Sequence, residues 1–171
     1  MMLEEESAPE TSPEFERLFR SYSGLVFRTA YRITGSASDA EDVLQDVFLR
    51  FLRRGREQAP LENEEGYFRR AAVNGALDAV RERSEERSVP LMDLPAEPAR
   101  QPPGDLKETL RVALGRLKPR DAEVFALRFF EEYSNPEIAR MLGISQVLVA
   151  VIVHRARRQL QKEISSHQEK P

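Results

Sequence analysis

The chain has 171 residues and no cysteine, so disulfides and thiolate metal sites are excluded. It carries 26 lysines and arginines against 29 aspartates and glutamates, a net charge of -3, so any nucleic-acid binding must rest on local basic surface. Hydrophobic residues at 40% suffice for a packed core, and scarce glycine with no long alternating runs favours helices over sheets.

The start is acidic (Glu4, Glu5, Glu6), not a basic leader, and no apolar run reaches membrane length, so a cytoplasmic protein that engages no membrane is expected. The segment before Ser12 reads as a disordered tail, residues 1–11. Ser12 with Pro13 opens a helix whose stripe is Phe15, Leu18, Phe19, Tyr22, Val26 and Ile33, and Gly35 ends it. Ser38 and Glu41 have capping-box spacing for a second helix, with Val43, Leu44, Val47, Phe48, Phe51 and Leu52 inward. A third helix is predicted from about Glu64 to Glu86, burying Phe68, Ala71, Ala72, Leu77 and Val80. Three such helices form a bundle over residues 12–87.

Five prolines (Pro90, Pro95, Pro98, Pro102, Pro103) make residues 88–104 a linker. Beyond it, residues 105–164 read as a second domain before a short tail, 165–171. Leu106, Leu110, Leu114 and Leu117 mark one helix and Val124, Phe125, Leu127 and Phe130 the next. The segment 134–145, SNPEIARMLGIS, then has a capping box (Ser134, Glu137), a turn glycine (Gly143) and a second cap (Ser145) before a last helix to about Glu163. A short helix, a glycine turn and a longer helix make a helix-turn-helix. The predicted fold class is therefore all-α: a three-helix bundle and a four-helix helix-turn-helix domain joined by a Pro-rich linker.

Nothing suggests an enzyme. No nucleophile arrangement, metal cluster or phosphate loop is present; His154 and His167 have no carboxylates set around them, and no cofactor is expected.

At this point the chain resembles the extracytoplasmic-function sigma factors of the sigma-70 family. The likeness rests on DAEDVLQDVF at 39–48, YFRRAAVNGALDAVR at 67–81 and the stretch from Leu117 to Leu160. It implies that Asp39, Asp42, Gln45 and Asp46, opposite the second helix's apolar stripe, dock on the clamp helices of the largest subunit of core RNA polymerase. It also implies that Tyr67, Arg70, Asn74, Asp78 and Arg81 open and read the minus-ten element of promoter DNA. Asn74, Asp78 and Arg81 lie at i, i+4 and i+7, on one helix face, and an Asn offers both donor and acceptor to a base edge. Tyr67 stands where the family usually has Trp, and packing is its expected role.

The recognition helix departs from the family pattern. Val147, Leu148, Ala150, Val151 and Ile152 are expected to project toward the major groove, with Val149 and Val153 in the core. Such a face cannot make bidentate contacts to guanine or adenine, although it can touch thymine methyls. Three readings are open: weak duplex reading by Ser145 and Gln146 with His154, Arg155, Arg157 and Arg158 on phosphates; packing on the first domain or on a partner such as an anti-sigma factor; or lost promoter reading. Packing or partner contact is preferred. The functional expectation is a sigma factor that directs promoter-specific initiation. The alternative is a polymerase-binding regulator acting through protein contacts.

Overall fold

The computed structural model describes residues 12–54, 60–86 and 106–168. The expected acidic tail and the linker at 88–104 lie outside them. The described residues form seven helices: α1 (Pro13–Thr34), α2 (Ala37–Arg54), α3 (Glu64–Glu86), α4 (Leu106–Arg116), α5 (Pro119–Phe129), α6 (Asn135–Leu142) and α7 (Gln146–Gln168). Among the described residues there is no strand, as the composition requires.

Helices α1, α2 and α3 pack on one another around Phe68, which is fully buried. Its ring stacks between Tyr22 and Phe48, each with a centroid 5.0 Å away, and Phe51 tilts in at 5.5 Å. Such ring pairs add directional preference to the area they remove from water. Phe19 and Leu52, expected inside, lie at the edge of the bundle and are exposed. The start of α2 also differs from expectation. The hydroxyl of Ser36, not Ser38, accepts from the Asp39 backbone N–H, and the Ser36 carbonyl accepts from Ala40, so the helix begins earlier than the Ser38–Glu41 pair suggests.

In the second half, α5 is buried nearly all round: α6 and α7 pack against it and α4 packs on α7, with Leu114, Leu127, Ile138, Val149 and Ile152 in the core. The predicted capping box is formed: the Ser134 hydroxyl accepts from the Glu137 backbone, and the Glu137 carboxylate accepts from the Ser134 backbone at 2.8 Å. Gly143 sits at φ +63, the left-handed conformation that ends α6, and its N–H donates to the Ala139 carbonyl. The last helix continues to Gln168, past the expected end at Glu163.

The two halves pack together: α3 lies against α4 and α5. Gly115 lies at this contact, where a Cβ would rest at ordinary van der Waals distance, 3.4 Å from the Ser84 hydroxyl and 3.6 Å from the α3 backbone at Arg81. From α4, Arg111 reaches the C-terminal end of α1, where its Nε donates to the Ile33 carbonyl at 3.2 Å. A cation and donor at a helix C-terminus meets both its free carbonyls and the negative end of its dipole.

Candidate nucleic-acid interface

Helix α3 brings the predicted minus-ten residues together. Tyr67 is half-buried, edge-on to Phe68 at 5.2 Å and to Phe51 at 6.1 Å, with the Arg54 guanidinium 5.6 Å from its ring centre. It packs on the bundle, and its flank forms part of a cleft of about 720 Å³ between the two halves, also lined by Asn63, Arg70, Asn74, Tyr133 and Arg140. One turn apart along α3, Arg70 and Asn74 point to the same place. Asp78 and Arg81 continue the line, ion-paired to each other at 3.0 Å.

What meets Arg70 and Asn74 is an acid from the second half. The carboxylate of Glu123 accepts from Arg70 Nε at 2.5 Å and from Asn74 Nδ2 at 3.0 Å, and Arg120 adds a contact at 3.3 Å. Nearby, the Glu131 side chain is completely buried and accepts from Arg69 Nη1 at 2.5 Å and from the Thr29 hydroxyl at 3.1 Å. Arg32 lies 3.4 Å from its other oxygen. Charged hydrogen bonds of this kind are shorter and stronger than neutral ones. Sequence reasoning points to neither acid. The available signal was α5 itself, a segment apolar on nearly all sides that still carries Asp121 and Glu123, since buried acids need partners.

The expected polymerase-docking residues are on α2. Asp42, Gln45 and Asp46 are exposed on its outer face, while Asp39 is half-buried and ion-paired with Arg83. At the entrance to the bundle, a bidentate Arg17–Glu64 pair and the Tyr22 hydroxyl hold the first turn of α3. The Arg17 hydrogen bonds keep the Glu64 carboxyl below the usual range.

On the recognition helix the structure corrects two expectations. Ile152 does not project: it is 3% exposed and belongs to the core, whereas Val151 beside it is 51% exposed. Nor does the apolar tip pack on the first domain. Val147, Leu148 and Val151 face solvent, and α7 packs on α4, α5 and α6. The candidate phosphate contacts divide. Gln146, His154 and Arg158 are exposed. Ser145 spends its hydroxyl on the Leu148 N–H, and Arg157 lies over Phe129 at 5.8 Å. Arg155 is clamped by the buried Asp121 through Nε at 2.8 Å and Nη2 at 2.5 Å, which ties α7 to α5.

Among the described residues no group of acids and histidines could hold a metal, and no single helix is long and apolar enough to cross a membrane.

Comparison with known proteins agrees with this layout. The family description "Sigma-70 region 2" matches residues 18–86 and "Sigma-70, region 4" matches 107–160. The chain is 32% identical over 163 residues to the ECF RNA polymerase sigma factor SigE of Mycolicibacterium smegmatis, covering 91% of this chain and 63% of that protein. It is 31% identical over 154 residues to the RNA polymerase sigma-E factor of Streptomyces coelicolor, covering 88% of this chain and 86% of that one. Among solved structures, CnrH in complex with the cytosolic domain of CnrY aligns with a TM-score of 0.55 at 25% identity, covering 89% of this chain and 88% of that one. The sigma factor RpoE in complex with the anti-sigma factor NepR, from Bartonella quintana, aligns at 0.52 and 20% identity over 90% of this chain and 98% of that one, which shows the shared fold. With both of its halves matched in order and along most of their length, the chain belongs to the extracytoplasmic-function sigma factors of the sigma-70 family.

Proposed function

We propose that this chain is a working sigma factor, which binds core RNA polymerase and directs promoter-specific initiation, and that three of its helix faces divide the task. The acidic outer face of α2, with Asp42, Gln45 and Asp46, docks on the basic partner surface of the polymerase clamp, with Asp39 held at its edge by Arg83. The α3 face then meets the minus-ten element. Asn74 reads a flipped base edge, Arg70 and Arg81 hold backbone phosphates, Asp78 orients Arg81, and Tyr67 supports the helix from below. The observation that carries this reading is the alignment of Arg70, Asn74, Asp78 and Arg81 along one helix, in the domain that also bears the free acidic face of α2.

The recognition helix reads duplex through its methyl-bearing tip. From Gln146 to Lys162, α7 has no acidic residue, and it carries Arg155, Arg157, Arg158 and Lys162. Such a helix suits a polyanion. With Val147, Leu148 and Val151 exposed at its start, the contact it offers a base pair is apolar, and the apolar group in the major groove is the thymine methyl. His154 and Arg158 flank this tip toward the phosphates. An anti-sigma partner remains part of the proposal, since RpoE was solved with one.

The test is in vitro transcription with purified core polymerase on a pool of genomic fragments, with the transcript starts sequenced. Discrete starts that depend on the chain and vanish with Asn74→Ala establish the reading. Core binding without new starts favours a regulator, and no core binding refutes it. Replacing thymine by uracil in the upstream element of a promoter found this way should weaken initiation; an unchanged yield sinks the methyl-contact reading.

A further inference from the structure

The start of α7 turns Val147, Leu148 and Val151 to solvent, Val147 to 74%, while Val149 and Ile152 among them are buried. Val151 lies one turn beyond both Val147 and Leu148, at i+4 and i+3, so the three side chains form one patch. That patch is held still. The Ser145 hydroxyl accepts from the Leu148 N–H and the Ser145 carbonyl from the Val149 N–H, each at 3.1 Å. Two turns beyond Leu148, the Arg155 guanidinium is fixed to Asp121 of α5. A valine within a helix keeps essentially one χ1 rotamer, so the methyls of Val147 and Val151 have little freedom to lose on contact.

The occupant follows from the size of the patch and from its surroundings. Stable protein interfaces bury about 800 Å² from each partner, more than three side chains supply. From Gln146 to Lys162 the helix carries no acid, and the cation Arg158 is exposed beyond the patch together with His154. A basic helix with a small apolar start is complementary to the major groove of a duplex, whose phosphates are anionic and whose floor carries methyl groups.

From Val147 to Ile152 no side chain bears a hydrogen-bond donor or acceptor. These residues therefore cannot distinguish bases by hydrogen bonding. Cytosine, which a protein reads by accepting from its N4 amine, offers them nothing. What they can touch is the methyl at C5 of thymine. A cytosine methylated at C5 carries the same group on the same ring atom. To a side chain that senses only the methyl, the two bases are alike.

We propose that α7 recognises the 5-methyl group of pyrimidines in duplex DNA, so that methylation of cytosine at C5 turns a base pair this chain passes over into one it binds. Val147, Leu148 and Val151 are the specificity-determining residues. This rests on the reading of the α7 tip as a duplex contact. It goes further in making that contact respond to base modification as well as to sequence.

The test measures binding of the full chain to four fluorescent pools of random duplexes. The pools contain thymine or uracil, each combined with cytosine or 5-methylcytosine. The uracil–cytosine pool has no methyl and should bind most weakly. Changing its cytosine to 5-methylcytosine should raise affinity about fourfold, the effect of covering one methyl. In the variant carrying Val147→Ser and Val151→Ser, with its fold checked by a melt, this gain should vanish; Val151→Ala is a milder second variant that should reduce it. Equal binding of the two uracil pools by the parent chain overturns the proposal. If the thymine–cytosine pool still outbinds the uracil–cytosine pool, the thymine-methyl reading stands without it. If all four pools bind alike, or none binds, both fall. A gain that persists undiminished in the folded variants originates in the methylated duplex itself and also overturns the proposal.

Discussion

Ile152 and Val151 are neighbours in the recognition helix, yet an arginine at each should have opposite consequences. Ile152→Arg exchanges an apolar side chain that is 3% exposed for a cation. The lost apolar burial costs about 1.5–3 kcal/mol, and confining the charge adds several more, for a total above ~4 kcal/mol. Helices α4–α7 span residues 106–168. At ~0.05–0.15 kcal/mol per residue, a unit of that size has about 3–9 kcal/mol in hand, so the substitution should leave it largely unfolded. Val151 is half exposed. There the smaller loss of burial is offset by the better helix propensity of arginine, for a net change within about 0.5 kcal/mol. Circular dichroism melts of both variants, with binding of a mixed-sequence duplex followed across salt concentration, would check this. Val151→Arg should melt like the parent, bind duplex more tightly and steepen the salt dependence by about one unit, as one added phosphate contact does. A native melt for Ile152→Arg, or collapse of Val151→Arg, would refute the burial pattern of α7. An unchanged salt slope would show that the tip does not face duplex.

Other expectations follow from single contacts. Ser134→Ala removes the cap of α6 and should cost about 1 kcal/mol, read as a lower melting temperature of the second domain. Its partner Glu137 has a carboxyl lowered from 4.5 by the hydrogen bonds from the Ser134 hydroxyl and backbone. That stabilisation is present above pH 4.5 and disappears as the pH falls through the lowered folded value, so Glu137→Gln should flatten this part of the acid limb in melts between pH 6 and about 3. If the limb is unchanged, the capping box is not coupled to folding. Phe68→Ala empties the centre of the first bundle and should cost about 3–5 kcal/mol in thermal or denaturant unfolding. Asp42→Arg with Asp46→Arg, on an exposed face, should leave the melt unchanged and weaken core-polymerase binding in a pull-down or titration by about tenfold or more. Undiminished binding would place the docking surface elsewhere.

Local signals in the chain were enough for the helices. Pro13 and Gly35 bracket α1, and Ser134, Glu137, Gly143 and Ser145 set out the helix-turn-helix almost residue by residue, because caps and left-handed turns are decided by side chains a few positions away. The apolar periods also placed Phe68, Leu77, Leu114 and Val149 inside. The spacing of Asn74, Asp78 and Arg81 is by itself enough to set those groups on one helix face. Periodicity failed where tertiary neighbours choose the buried arc of a helix. On α7, four consecutive apolar residues from Ala150 to Val153 leave the arc undecided, and only packing against α5 turns Ile152 inward and leaves Val151 out. The partners of Arg70 and Asn74 were hidden for the same reason. Glu123 lies 53 and 49 residues away in sequence, and Glu131 lies 62 residues from Arg69. A carboxylate carries no local mark of the distant guanidinium that will meet it, so which acids Arg69, Arg70 and Asn74 would hold was settled only when the two halves came together.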